Sequence, residues 1–463
     1  IAQIGLAGEK LVRFANIVNE LKHFNGRNGL GAVMGSKKLK AIAVRGTKPI
    51  KMYKKDKIKE ITKQISQRVM SNPLSNELKE LGTNAGLYSL YKGGCLPTNN
   101  WTTGYFEKGE NFNEVTLNKT IVKKTATCYA CPIGCKRIVE INKSDIKVNP
   151  LYGGTEYEAV ISLGSICGIN DLDYIAKANE LCNKYTMDTI STGMVIAFAM
   201  QCFQEGILSK ENTEGIKLNF GNKKALLQMV EKIATRDGLG DILAEGSLRA
   251  ARKFGKRAQN FIHQVKGQEI PMHDPRLKTG VALQYALASY GADHMKSPHD
   301  FLFADEDGWG IQVMSGLGIF EPVSPEDLGY KKVRLFKKLS IYWSLLDILG
   351  VCVFGYVPRS LGTMEELLEI IRSITGWRTT WFELMRLGER SINMARIFNF
   401  REGFSSKDDT LPEVFFQNFK GGPLDGTRAI EREVFKKYLV PNSLFVCISP
   451  YFTICFPYNS IAH

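Results

Sequence analysis

A chain of 463 residues is long enough for about two to four domains with their own cores, and 44% hydrophobic against 23% charged residues is a globular balance. No apolar run reaches the roughly 18–20 residues of a membrane-crossing helix, so no membrane is expected, and ten cysteines are too sparse for a disulfide scaffold and suit reduced thiols. The net charge of +14 admits an acidic protein, a membrane surface or nucleic acid as partner, or simply solvated lysines, but no block of like charge marks a nucleic-acid tail.

In chain order, the first residues, "IAQIGLAGEKLVRF", read as the interior of a folded domain, so an N-terminal part of that domain is expected to precede Ile1. Short apolar segments and a glycine-rich stretch follow, ending in "LKAIAVRGTKPI", a strand signal. The lysine-rich "KMYKKDKIKE" then reads as a boundary near residue 55. From 56 to 265 the pattern turns helical, with apolar residues at helical spacing in "DLDYIAKANELCNKY" and "TGMVIAFAMQCFQEGIL". A second helical block occupies 266–438. In it Thr363 is the expected N-cap, Glu366 completes a capping box and Gly376 stops the helix. Residues 439–463 form an apolar tail unlike the rest, without Asp, Glu, Lys or Arg, and its prolines at 441, 450 and 457 forbid one continuous helix.

"CYACPIGC" places Cys128, Cys131 and Cys135 at Cys-x2-Cys-x3-Cys spacing on a short loop. Structural zinc usually takes a second close pair, which is missing, whereas a [4Fe–4S] cluster takes four thiolates, commonly three local and one distant. The distant ligand is to be sought among Cys95, Cys167, Cys182, Cys202, Cys352, Cys447 and Cys455. Cys182 and Cys202 fall inside amphipathic helices and read as core. Composition leaves Cys352, at the end of "DILGVC", only modestly ahead of Cys95 and Cys167.

The glycine loop in "GRNGLGAVMGSKKLKAIAVRG" superficially suggests a dinucleotide fingerprint, but its glycines are expected to lead into a strand rather than a helix. What remains is a backbone able to approach an anion, with Arg27 as a forked donor for phosphate. "PMHDPR" places His273 and Asp274 in a turn, with Arg276 either on a phosphate or at a helix end.

Taken in order, "GRNGLGAVMGSKKLKAIAVRG", "CYACPIGC", "DTISTG", "HDPR", "GADH" and "DILGVC" resemble the tungsten-containing aldehyde ferredoxin oxidoreductase family, over residues 1 to about 438. The resemblance implies an α+β fold: the remnant of a pterin-cradling β domain over 1–55, then two mainly α-helical domains. It implies Cys128, Cys131, Cys135 and Cys352 as ligands of a [4Fe–4S] cluster. Beside the cluster it implies tungsten (or molybdenum) held by two pterins. Pterin contacts would come from Arg27, Asn28, Gly29 and Leu30, from Asp347, Gly350, Val351 and Val353, and more loosely from Asp188, Thr192 and Gly193. Asn28 stands where the family usually has glycine, and Val351 where it usually has leucine. Glu156 or Glu158, with His294, match the family's acid–base groups. The implied reaction is cytoplasmic oxidation of an aldehyde to a carboxylate with ferredoxin as acceptor, by a protein that is often a homodimer. Phosphorylated aldehydes or reduction of an aromatic thioester are the neighbouring alternatives, and a basic, non-enzymatic metal-binding protein is the more distant one.

Overall fold

The computed structural model describes residues 1–359 and 361–443. Cys447, Cys455 and most of the apolar tail lie outside the described residues; from 439 to Ser443 the tail belongs to the helix Arg432–Ser443. Helices dominate, and the strands are short and confined to small antiparallel sheets, an α+β arrangement.

The N-terminal segment makes a four-stranded antiparallel sheet in the spatial order His23–Phe24, Val18–Asn19, Ala2–Gln3, Ala41–Ile42. Ala2 faces Asn19 on one side and Ile42 on the other. The strand expected across "LKAIAVRG" is only Ala41–Ile42, because its partner is only two residues long. Beyond that pairing, Ile4 N–H donates to the Lys40 carbonyl at 3.0 Å as the partner strand ends.

The glycine loop departs from expectation, because a helix, Leu30–Ser36, intervenes before the strand. Glycines at 31 and 35 weaken its intrinsic helicity, so the sequence reads as loop. Packing reverses that preference. A Cβ on Gly31 would lie 2.3 Å from the Asn16 carbonyl oxygen, and one on Gly35 1.9 Å from that of Gly8. The absence of side chains is what lets this helix lie against the backbone of 8–16. The dinucleotide reading still fails, because every pairing in the sheet is antiparallel rather than part of a parallel strand–helix–strand unit. Gly29 initiates the helix at φ +69, where a Cβ would meet the Arg13 carbonyl oxygen at 2.0 Å. Gly29→Ala therefore combines left-handed strain with overpacking and should destabilise the protein by about 1–3 kcal/mol, read as a lower thermal midpoint.

A large core gathers residues from Ala7 to Ala292, together with Leu411, Phe415, Ile430 and Phe435. At its centre the helix Thr189–Gln204 is buried almost along its whole length, which is why its sequence is apolar on all sides. It packs closely on the helix Tyr157–Leu163: a Cβ on Gly193 would sit 2.1 Å from the Ser162 carbonyl oxygen. The boundary expected at 265 falls inside this core, since Val265, Ile270, Val281 and Ala292 all share it. A second core lies between Phe303 and Leu384 around Tyr342 and Trp343, while Leu328, Phe336 and Ile341 from the same stretch belong to the first. Within the second core, the helix Met364–Thr375 has the expected Thr363–Glu366 capping box and Gly376 at φ +76. No single described helix is long and apolar enough to cross a membrane.

Candidate active site and cysteine cluster

An antiparallel ribbon, Val122–Ala126 with Lys136–Val139, presents the cysteine loop at its tip. Ala130 and Gly134 adopt positive φ, and Cys131 N–H donates to the Cys128 carbonyl at 3.2 Å, curling the three thiols to one side. Arg137 braces the loop from beneath, donating to the carbonyls of Gly134 (3.2 Å) and Lys79 (3.0 Å). Cys352 arrives from elsewhere. The helix Tyr330–Leu349 is stopped by Gly350 at φ +66, and the chain turns at once toward the loop. A small apolar clasp of Val69, Ile133 and Leu361, with Phe354, Cys131 and Cys135 packed on it, holds the two segments together.

The thiols feel one another. Burial pushes Cys135 up to about 12, with Glu156, Cys352 and Cys131 adding to the rise. The Cys352 thiol is raised by the protein around it and further by Cys131 and Cys128. The rival cysteines are engaged differently: the Cys167 thiol is buried between the carbonyls of Ser162 and Gly193, both at 3.5 Å, and the Cys95 thiol points to the Gly93 carbonyl at 3.2 Å. Cys182 and Cys202 are buried core residues.

Next to the cysteines the other sequence motifs converge on one polar chamber. Arg27 leaves the glycine loop and is fully committed to protein. Its Nε donates to Asp188 (2.8 Å), Nη1 to the Ala292 carbonyl (3.0 Å), and Nη2 to Ser191 Oγ (3.1 Å) and the Glu269 carbonyl (2.9 Å). The guanidinium expected to fork onto a phosphate is instead a crosspiece between four segments. Burial lowers its pKa, but Asp188 and Asp293 more than offset that. Asp188 also caps the helix Thr189–Gln204 through the N–H groups of Ile190 and Ser191. Thr192 and Gly193 lie buried in that helix, where Thr192 Oγ1 donates to the Asp188 carbonyl and Gly193 packs against Ser162. Asn28 (φ +86) and Leu30 remain exposed on the loop. Asp347 is exposed in the last turn of its helix. Protein around it raises its carboxyl, which Lys296 opposes. Val351 and Val353 are partly buried against the second core.

The two candidate glutamates separate. Glu156 is the N-cap residue of the helix Tyr157–Leu163, accepts from Thr83 Oγ1 at 2.5 Å and lies toward Cys135. Glu158, two residues on, points into the chamber. Its Oε2 accepts from Met272 N–H at 2.8 Å, while Oε1 stands 3.4 Å from His273 Nε2 and 3.6 Å from His294 Nε2. Glu158 Oε1 and His294 Nδ1 are buried without hydrogen-bond partners. Burial pushes the Glu158 carboxyl up to about 8, against the pull of Met272 N–H and Arg27. Burial likewise pulls His294 down to about 3, assisted by Arg27 and Arg359. At neutral pH the pair is thus a protonated carboxyl facing a neutral imidazole, a proton donor beside a proton acceptor.

His273 was legible only as part of a turn, but its ring stacks on Tyr157 at 4.6 Å and stands 5.1 Å from His294 and 4.5 Å from His299. Its backbone is pinned by Tyr285 Oη, which donates to the His273 carbonyl at 2.8 Å. Lys278 Nζ lies 3.2 Å from His273 Nδ1. Arg276 neither reaches the chamber nor caps a helix. It pairs with Asp274 at 2.6 Å and lies 3.6 Å over the Phe419 ring, tying the C-terminal segment down. Nothing in the local spacing marked His299, Lys278 or Arg359 as neighbours of Glu158.

Residues 1–46 match the family described as aldehyde ferredoxin oxidoreductase, N-terminal domain, and residues 60–440 match aldehyde ferredoxin oxidoreductase, domains 2 and 3. The interval between the two falls on the lysine-rich connector. The chain is 35% identical to a tungsten-containing aldehyde ferredoxin oxidoreductase of Thermococcus kodakarensis, over 95% of this chain and 69% of that protein. It is 30% identical to the WOR-like subunit of an aliphatic sulfonate oxidoreductase of Pyrococcus furiosus, over 94% of this chain and 65% of that protein. Among solved structures, the fold resembles the active-site complex BamBC of benzoyl coenzyme A reductase. The TM-score is 0.75 at 22% identity, covering 95% of this chain and 70% of that one.

Proposed function

Because this chain belongs to the aldehyde ferredoxin oxidoreductase family, an oxidoreductase family with tungsten-containing members, we propose that it oxidises an aldehyde to a carboxylate and passes the electrons to ferredoxin. The observation that supports the reading is the approach of Cys352 to the cysteine loop of a distant segment, near a buried Glu158 Oε1 and His294 Nδ1 that lack hydrogen-bond partners.

The donor sets fit the expected groups. Cys128, Cys131, Cys135 and Cys352 are soft ligands suited to a [4Fe–4S] cluster. The backbone of 27–30, Asp188, Asp347 and the 350–353 turn border the chamber where a bis-pterin metal would lie. Once bound, the tungsten (or molybdenum) supplies a centre that changes oxidation state by two, and the cluster beside it exports electrons singly.

The chain's own residues do the rest. The net change is aldehyde plus water to carboxylate, three protons and two electrons. Protonated Glu158 donates a hydrogen bond to the aldehyde oxygen and polarises the carbonyl. Neutral His294 takes a proton from the attacking water. Arg27, held by four partners, fixes the wall against which both work, and the apolar core behind the helix Thr189–Gln204 keeps bulk water out. The reading carries with it a cytoplasmic location, pairing of two copies and division into a β module to residue 55 followed by helical modules.

Elemental analysis with EPR on anaerobically purified protein tests it. About four irons with tungsten or molybdenum per chain, and aldehyde-dependent ferredoxin reduction, are expected. Zinc alone would sink it. With +14 net charge, the rate with an acidic ferredoxin should fall as salt rises past about 0.1 M, where the Debye length is about 10 Å. A rate flat across ionic strength would refute electrostatic steering.

A further inference from the structure

Several buried cations of the fold are paired with a carboxylate, and buried Arg137 is met by three carbonyls and Asn118. Arg27 has Asp188, Lys266 has Asp409 at 2.8 Å, and Lys332 has Asp300. Lys278 breaks the pattern. It is 5% exposed, and its ammonium lies 3.2 Å from His273 Nδ1, on a ring that burial keeps neutral, and 5.4 Å from the centre of the Phe301 ring. The nearby Asp300 acts on it from beyond contact distance: its Oδ1 is taken by Lys332 and by Gly280 N–H at 3.0 Å, and its Oδ2 has no hydrogen-bond partner. Arg359 is a second case. Its Nε is buried without a hydrogen-bond partner, and its charge acts on His273, His294, His299 and Lys278, so it borders the same chamber. Among the described residues, no carboxylate stands within 4.0 Å of either cation. Glu158, the carboxyl of this chamber, is largely protonated at neutral pH and offers them little charge.

Two cations with no carboxylate in contact, one buried and one half-buried, beside an Asp300 that Lys332 already pairs, are costly unless a further anion joins them. We propose that Lys278 and Arg359 form an anion-binding subsite beside Glu158 and His294, so that the substrate is an aldehyde bearing a second, acidic group. That group is a carboxylate, phosphate or sulfonate, bound by the two cations while the formyl carbon faces Glu158 and His294. The inference rests on the proposed aldehyde oxidation for its reacting group, but the subsite itself is testable without turnover.

The holoenzyme, purified anaerobically, is assayed with succinic semialdehyde, glyceraldehyde 3-phosphate and sulfoacetaldehyde against uncharged butyraldehyde. At least one acidic aldehyde should exceed butyraldehyde in kcat/KM by about 100-fold, chiefly through KM. Lys278→Met should remove most of that advantage, read as the ratio of kcat/KM for the acidic aldehyde to that for butyraldehyde, and Lys278→Arg should restore part of it. Independently of catalysis, succinate, inorganic phosphate and methanesulfonate are tested as ligands by thermal shift. At least one should raise the melting midpoint of the wild type and not of Lys278→Met. Without any anion, Lys278→Met should melt higher than the wild type, since an unpaired buried charge has gone. Equal preference for acidic and neutral aldehydes would overturn the proposal. So would loss of tungsten or molybdenum from Lys278→Met, which would assign the cation to a cofactor phosphate. If no aldehyde were oxidised but the anion-dependent shift survived, the family reaction would fall and the subsite would stand.

Discussion

Replacing Cys352 by serine is expected to strip the iron centre while leaving the fold recognisable. Iron should fall from about four per chain toward zero, and the EPR signal of the reduced cluster should vanish. Cys167→Ser and Cys95→Ser serve as internal controls, because their sulfurs face the carbonyls of Ser162 and Gly193, and of Gly93, rather than the loop. The effect should be large because the fourth ligand is delivered by a separate helix end. Among the described residues, the small Val69–Ile133–Leu361 clasp also joins that end to the cysteine loop. Without the fourth sulfur, a three-thiolate site leaves one iron open to solvent and loss. Full iron retention in Cys352→Ser, with loss in either control, would move the ligand elsewhere.

Glu158→Gln should lower kcat by about 10²–10⁴-fold with a much smaller change in KM, since the amide keeps the shape but cannot serve as an acid. Glu156→Gln should be far milder, as that carboxylate sits at a helix start without capping it and accepts from Thr83 Oγ1 instead. Wild-type activity should fall as pH rises through about 8, where Glu158 loses its proton, and Glu158→Gln should lack that limb. Stability follows with a definite sign. The folded-state carboxyl titrates above its ordinary value, so its contribution is fully present below about 4.5 and is lost as pH rises through about 8. Glu158→Gln should therefore melt higher than the wild type at pH 9 and approach it near pH 4. His294 has the opposite sign: its folded-state value lies near 3, so stability is lost as pH falls below its ordinary 6.5. A wild-type rate flat from pH 6 to 9 would contradict the assignment of Glu158 as proton donor.

Local spacing carried some of this site and burial hid the rest. The cysteine trio stood out because its three thiols are neighbours in sequence, and the Thr363–Gly376 helix because caps are local signals. Cys352 has no local signature tying it to residue 128, so only the order of motifs along the whole chain singled it out. The helix after Gly29 was missed because its glycines argue against helicity in isolation, while the close approach to the backbone of Gly8 and Asn16 that requires them is tertiary. Glu156 and Glu158 could not be told apart, because two residues at a helix start send side chains in different directions and the sequence does not show where the helix begins. Lys278 was invisible for a simpler reason. It is one of 61 basic residues, and its isolation from carboxylates appears only when the chain is folded.

The route by which Cys352 reaches its neighbours bears on the voltage at which a centre there would operate. The helix Tyr330–Leu349 ends just before it, and a helix carboxyl end carries about half a unit of negative charge. An electron added beside that end meets a standing repulsion, whereas the N–H groups of Phe354 and Gly355, directed at the sulfur, soften it. The potential of a cluster bound there would be adjustable from the last helical turn. A lysine introduced at Ile348 should shift the midpoint upward without altering any ligand.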